Sequence, residues 1–135
     1  MQVLLKCLWI AGVIQLAIFL TNFYLPFKFH YGRNISPLSP FFHQIFVTHA
    51  AYIAVVVLSF SIISFAFAPD LTSGHGLGRF LAAAICFFWF CRVPIQLFYF
   101  DKDVRRANRV GDILMTVAMA FLAATYCAAA FSAVR

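Results

Sequence analysis

Long apolar stretches alternate with short polar segments along this chain of 135 residues. A helix needs roughly 20 mostly apolar residues to cross a hydrocarbon core about 30 Å thick. Four stretches meet that requirement, at about residues 3–25, 42–68, 79–100 and 112–133. The pattern therefore predicts an all-α polytopic membrane protein, in which four transmembrane helices form an up-down bundle and a single domain over residues 1–135.

The residues between the apolar stretches indicate where the helices begin and end. Ser39 suits a helix N-cap and Pro40 suits the first helical position, so we expect the second helix to begin there. Proline and glycine between residues 69 and 78 predict a short hairpin before the third helix. Residues 21–24 offer no small-residue cleavage site, so we expect the first stretch to be retained as a helix and not removed as a signal peptide.

Composition supports the membrane assignment. The chain is 64% hydrophobic and 10% charged, whereas soluble proteins average roughly 45 to 50% apolar and 25% charged residues. Four cysteines lie within the predicted spans without a CxxC motif, so we expect buried free thiols and neither a disulfide framework nor a metal site. They are Cys7, Cys86, Cys91 and Cys127.

The net charge of +6 predicts an orientation. Basic residues are concentrated in the first and third loops, at Lys28, Arg33, Lys102, Arg105, Arg106 and Arg109. By the positive-inside rule these loops face the cytoplasm and both termini lie outside, as expected in a bacterial cytoplasmic (inner) membrane. We expect the basic loops to contact anionic membrane lipids and we expect no nucleic-acid partner, since the chain has no other basic surface.

Two histidines at the start of the second span require separate interpretations. His43 and His49 are six residues apart, so their side chains point about 120° from each other on a helix and do not bind one metal together. His43 suits an anchor at the membrane interface. His49 lies deeper and needs a partner. One hypothesis is an axial ligand to a haem or chlorophyll-type pigment, because Ala50 and Ala51 leave room for a flat ring.

Polar residues on different helices fall at similar depths. Arg92, in the middle of the third span, is costly in lipid and must face protein or water. Asp112 is the carboxylate placed to neutralise it, and Pro94 removes a backbone donor and is expected to bend the helix. The predicted intramembrane polar layer consists of Gln15, His49, Tyr52, Arg92, Gln96, Tyr99, Asp112 and Thr116.

The layer has two interpretations, a structural network that holds the helices together or a polar pocket open to the cytoplasmic side. No catalytic residue stands out. The eighteen phenylalanines and the ladder Ala120, Ala124 and Ala128 suit close packing against partners or lipophilic cofactors. The leading hypothesis is therefore a non-catalytic accessory subunit of a larger membrane complex of the respiratory, photosynthetic or membrane-enzyme type.

An enzymatic alternative comes from a resemblance. The chain resembles the membrane-associated eicosanoid and glutathione metabolism family in its length, its four predicted helices and its third-helix pattern Arg92, Tyr99 and Arg105-Arg106. The resemblance implies a homotrimeric enzyme that binds glutathione between subunits in the cytoplasmic half. The chain departs from the second-helix pattern of that family, which has arginine, asparagine and glutamate near the places of Phe42, Phe46 and His49.

Overall fold

The computed structural model describes residues 2–28, 30, 39–99 and 102–132. These ranges contain helices and no strand, so the predicted all-α class is confirmed for them. The long helices are α1 (Gln2–Lys28), α2 (Pro40–Ala66), α4 (Gly76–Pro94) and α6 (Arg109–Ala130), and the short ones are α3 (Ala68–Thr72) and α5 (Lys102–Ala107). A π-helical turn, Ile95–Tyr99, continues α4.

Within the described ranges, four helical segments are long and apolar enough to cross a membrane. They are Gln2–Tyr24, Pro40–Ala66, Gly76–Tyr99 and Arg109–Ala130. The shortest has 22 residues, which corresponds to about 33 Å at 1.5 Å per residue. Each segment overlaps one of the four apolar stretches found in the sequence, because length and apolar composition define both.

Prolines determine two helix ends. Helix α2 begins at Pro40 with Ser39 as its N-cap residue, as predicted, although the Ser39 side chain makes no capping hydrogen bond. At Pro94 the α-helical part of α4 ends and the π-helical turn begins. Proline has no N–H to bond the carbonyl four residues earlier, and π-helical turns occur where that hydrogen-bond pattern is interrupted.

The predicted hairpin between α2 and α4 contains the short helix α3 and two glycines with positive φ. Gly74 has φ 72° and Gly76 has φ 51°, a backbone conformation that glycine adopts without a steric penalty. Gly78 lies against α3, since a Cβ at this position would be 2.0 Å from the carbonyl oxygen of Asp70. The first turn of α4 therefore packs directly on the backbone of α3.

Helix packing divides the long helices into two pairs. Helix α1 packs along α2 and α4 packs along α6, and α1 also contacts α6. The largest completely buried side chains include Trp89 on α4 and Tyr126 on α6. Gly12 lets α1 approach α2, where the Phe65 ring occupies the space that a Cβ would need. The core joins all four long helices through Leu8, Ala11, Val57, Ala82, Ile85, Trp89, Met119, Leu122, Tyr126 and Ala129.

The outer surface carries features that the sequence placed differently. The cysteines are free thiols, as expected, but Cys91 and Cys127 are exposed and not buried. The alanines of the predicted ladder, Ala120, Ala124 and Ala128, are exposed, which agrees with their expected position on an outer surface. Close packing between α6 and the rest of the fold uses the opposite face, with Met119, Leu122 and Tyr126.

Candidate functional site

A first polar group, which we call the inner polar cluster, consists of the buried residues Gln15, Ser61, Ser64 and Tyr126. The hydroxyls of Ser64 and Tyr126 hydrogen-bond to each other, and both oxygens lie 3.1 Å from Gln15 Oε1. Ser61 donates to the Gly12 carbonyl oxygen at 2.8 Å. The cluster therefore links α1, α2 and α6 inside an otherwise apolar core.

The amide group of Gln15 is incompletely satisfied. Its Nε2 is buried without a hydrogen-bond partner among the described residues, as is Nε1 of Trp89. A half-turn of the amide would direct Nε2 to the Ser64 and Tyr126 hydroxyls and leave Oε1 unpaired instead. An unpaired buried polar group costs about 1–3 kcal/mol. The inner polar cluster thus holds three helices in register while leaving one polar end of Gln15 unused.

A second polar group, the Asp112 cluster, consists of Gln96, Arg105 and Asp112. Arg105 donates from Nε and Nη2 to the Asp112 carboxylate, at 3.0 and 2.9 Å, and from Nη1 to the Leu97 carbonyl oxygen at 2.6 Å. Gln96 Nε2 donates to Asp112 Oδ1 at 2.8 Å. The cluster connects the π-helical turn, α5 and the first turn of α6.

Both oxygens of Asp112 accept hydrogen bonds, so this carboxylate serves as an ion-pair anchor. The hydrogen bonds to Asp112 raise the pKa of the Arg105 guanidinium above its ordinary value. Arg105 therefore keeps its charge throughout the pH range in which proteins fold. The side chains of Arg105 and Asp112 are partly buried, at 23% and 13% exposed. The geometry of the cluster fits a clamp between helices.

The ion pair of Asp112 differs from the expected one. The sequence predicted Arg92 as its partner, whereas the structure places Arg105 against both carboxylate oxygens. Arg92 is partly buried on α4, one turn before Gln96. Thr116, another predicted layer member, donates to the Asp112 carbonyl oxygen of its own helix at 2.8 Å. Of the predicted layer, Gln96 and Asp112 are thus joined by a side-chain hydrogen bond.

The histidines and tyrosines of the prediction lie on outer faces. His49 is exposed, and its Nδ1 is 2.9 Å from the Ile45 carbonyl oxygen of the preceding turn. His43 is exposed as well. Tyr52 is 69% and Tyr99 84% exposed, so neither adds to the interior of the fold. The described residues show no hydrogen bond that brings His49 to Gln96 or Tyr99.

Gln15 lies far from its predicted neighbour. The sequence placed it at the depth of His49, whereas the structure places it against Ser64, which is fifteen residues further along α2. That interval corresponds to about 22 Å along the helix axis. The difference arises because α2 extends beyond α1 at its N-terminal end, where every residue from 39 to 53 is exposed.

Four members of the two clusters were not identified from the sequence. Ser61 and Ser64 are three residues apart on one face of α2, and this spacing signals a polar contact with a neighbouring helix. Tyr126 stands alone in an alanine-rich segment, where its hydroxyl requires a partner. Arg105 was assigned to a loop, although α5 is helical and directs its side chain to Asp112.

The described residues contain no group of three histidine, cysteine or acidic side chains that could hold a metal ion. An axial ligand to a tetrapyrrole metal requires only one side chain. In His49 the hydrogen bond from Nδ1 leaves Nε2 as the ring nitrogen that would ligate a tetrapyrrole metal. The short side chain of Ala50 is exposed beside it. The arrangement is compatible with the pigment hypothesis.

No family model, no curated protein and no solved structure matches this chain. The resemblance to the eicosanoid and glutathione metabolism family therefore stays an expectation from the sequence.

Proposed function

We propose that this chain is an integral membrane protein with four spans in an up-down bundle, and that it serves as an accessory subunit of a larger membrane complex. In this role it packs against partner helices and against lipids or lipophilic cofactors. The observation that carries the proposal is the outward position of Ala120, Ala124 and Ala128 on α6.

A ladder of alanines at intervals of four residues forms one narrow face of a helix. Lipid tails are as apolar as large aliphatic side chains, so lipid contact alone gives no reason for small residues on that face. Interfaces between membrane helices are rich in small residues because these let the two backbones approach. The buried face of α6, with Leu122 and Tyr126, is already used within the chain. The exposed ladder therefore suits a helix of another protein.

The N-terminal half of α2 supports the same proposal. Every residue from 39 to 53 is exposed, and Gln44, Thr48 and Tyr52 follow one another at intervals of four on one helix face. Polar side chains in membrane segments generally face protein or water. A partner subunit at this end of α2 would cover the polar face and the exposed rings of Phe41 and Phe42.

Contacts between helices support the up-down arrangement. Cys86 of α4 donates to the Ala123 carbonyl oxygen of α6, and Gln96 of α4's π-helical continuation donates to Asp112. Residue numbers thus rise along one helix while they fall along the other, which is the pattern of an antiparallel pair. The short connection between α2 and α4 favours an antiparallel arrangement of these helices as well.

The orientation can be tested with reporter fusions. We expect fusions at Arg135 and near Asn108 to report opposite sides of a bacterial cytoplasmic membrane, with Asn108 inside, because basic loops are retained on the cytoplasmic side. A phosphatase reporter active outside and a fluorescent reporter active inside give complementary signals. Signals from the same side for both fusions would contradict the four-span arrangement.

The alanine ladder gives the main test of the proposed function. In a mild-detergent extract of native membranes we expect the wild-type chain to migrate with larger proteins, and we expect Ala124→Phe to release it. A ring at this position prevents close helix approach. Overpacking costs about 1–3 kcal/mol, which corresponds to roughly a 5- to 150-fold weaker association. Size separation followed by identification of co-purifying proteins measures the loss.

A matched control is Ala84→Phe, the same change at an exposed position of α4. It should leave the large assembly intact. Retention of partners by Ala124→Phe would remove the support that the ladder gives to the proposal. A wild-type chain that purifies as a stable homotrimer with glutathione-dependent activity would favour the enzymatic alternative.

A further inference from the structure

Basic side chains surround a cleft at the junction of α5 and α6. The cleft has a volume of about 590 Å³ and is lined by Lys102, Arg105, Arg106, Arg109, Asp112 and Ile113. We call it the basic cleft. It forms because the helix is interrupted at Asn108, between Ala107 and Arg109, so that side chains of both helices line one depression.

The charges of the basic cleft are unequally compensated. The carboxylate of Asp112 forms an ion pair with Arg105, which donates hydrogen bonds to both of its oxygens. Within the described residues, Arg106 has the carboxylate of Asp103 at 4.0 Å, and both side chains are more than four-fifths exposed. Such an exposed pair contributes little.

Two further cations have no hydrogen-bond or ion-pair partner in the part of the chain that the structure describes. Lys102 and Arg109 are exposed and line the same depression. Like charges that share a cleft repel each other, and a bound anion removes that repulsion. Lys102, Arg106 and Arg109 are therefore available to an anionic ligand, while Arg105 is held in the wall by Asp112.

The arrangement fits the chemistry of a phosphate group. A guanidinium group donates two parallel hydrogen bonds to phosphate oxygens, and an ammonium group adds a compact positive charge. A tetrahedral phosphate presents several oxygens at once and so can contact cations from two helices. The apolar side chain of Ile113 at one wall would contact the organic part of a phosphate ester.

We infer that the basic cleft is a binding site for a phosphate group, carried either by an anionic phospholipid headgroup or by a soluble phosphate ester. The cleft lies at the start of the candidate span Arg109–Ala130. If the chain inserts as proposed above, headgroups lie at this level, so the lipid source depends on the proposed function. The site itself depends on the residues of the cleft.

The test uses the full-length chain in zwitterionic detergent, titrated separately with short-chain phosphatidic acid, with inorganic phosphate and with short-chain phosphatidylcholine as a control. We expect the double variant Lys102→Gln/Arg109→Gln to bind phosphatidic acid about 25-fold more weakly, since each basic residue at an anionic surface contributes about fivefold. Affinity should fall further with added salt.

The matched control is Lys6→Gln/Arg79→Gln, which removes the same charge at exposed positions outside the cleft and should bind as the wild type does. Circular dichroism checks that both double variants keep their helices. Tighter binding of phosphatidic acid than of inorganic phosphate indicates a lipid source, and equal binding of the two, with the same sensitivity to the cleft variant, indicates a soluble one.

If both double variants weakened phosphatidic acid binding equally, the effect would arise from overall charge and not from the basic cleft. This result would overturn the inference. Failure of phosphatidic acid and inorganic phosphate to bind more tightly than phosphatidylcholine would overturn it as well. Neither result concerns the partner surface on α6, because the titration requires no partner. Conversely, the effect of Ala124→Phe on the large assembly does not bear on the phosphate titration. Either proposal can therefore fail without the other.

Discussion

Gly78→Ala is expected to destabilise the fold by at least about 3 kcal/mol, the upper end of the usual cost of overpacking. A Cβ at Gly78 would lie 2.0 Å from the carbonyl oxygen of Asp70 and 2.7 Å from its carbonyl carbon. These are backbone atoms, which cannot rotate away as a side chain can. Relief requires that α3 and α4 separate, and Leu71, completely buried on α3, would then lose core contacts.

Two other glycines provide graded controls. No atom lies within 4 Å of a Cβ at Gly111, so Gly111→Ala should raise the free energy of unfolding by up to about 0.5–1 kcal/mol through reduced backbone entropy in the unfolded chain. A Cβ at Gly12 would meet the end of the Phe65 ring at 2.9 Å. Phe65 is 41% exposed, so its ring can swing outward and Gly12→Ala should cost less than Gly78→Ala.

The measurement is reversible unfolding in mixed micelles, followed by the loss of helical circular dichroism. The expected order of stability is Gly111→Ala above wild type, then Gly12→Ala, then Gly78→Ala. A Gly78→Ala variant as stable as Gly111→Ala would contradict the close contact between α3 and α4.

The long helices could be predicted from the sequence because the signal is local. An apolar run of more than twenty residues between prolines or glycines needs no knowledge of its neighbours, and Ser39-Pro40 shows the start of α2 directly. The hairpin was also predictable from Pro69, Gly74 and Gly76. Its short helix α3 was missed, since five residues carry no helical periodicity that a pattern could reveal.

Contacts between helices were harder to predict because they depend on axial offset and rotation. The expectation that Gln15 lies at the depth of His49 assumed that α1 and α2 end at the same level. Because the exposed start of α2 extends beyond the end of α1, Gln15 contacts Ser64 and not the His49 region. Residue type alone indicated that Gln15 needs a partner but did not indicate which one.

Charge pairing shows the same limit. Arg92 and Asp112 were expected to pair because each is costly within an apolar span. The third loop was treated as unstructured, which removed Arg105 from consideration. Arg105 and Asp112 are seven positions apart in the sequence and would lie about 10.5 Å apart along a continuous helix. The interruption at Asn108 lets the Arg105 side chain fold over the first turn of α6.

Replacing either Arg105 or Asp112 alone is expected to destabilise the protein. Replacing both together is expected to cost less than the sum of the two single replacements. Asp112→Leu leaves the Arg105 guanidinium and the Gln96 amide without their shared acceptor. Arg105→Met leaves a partly buried carboxylate with Gln96 alone. The double variant Arg105→Met/Asp112→Leu removes both charges, and replacing an entire ion pair by apolar groups is better tolerated than removing one partner.

A double-mutant cycle in mixed micelles measures this coupling, as the difference between the effect of the double variant and the sum of the single effects. The matched control is Arg106→Met/Asp103→Leu, the same residue types in the same segment. Their closest atoms are 4.0 Å apart and their side chains are 81% and 93% exposed, so their effects should add without coupling. Coupling must therefore appear for Arg105 and Asp112 and be absent for the control pair. A larger coupling energy in an Arg92→Met/Asp112→Leu cycle than in the Arg105 cycle would contradict this pairing. It would indicate that Arg92, as expected from the sequence, is the partner of Asp112.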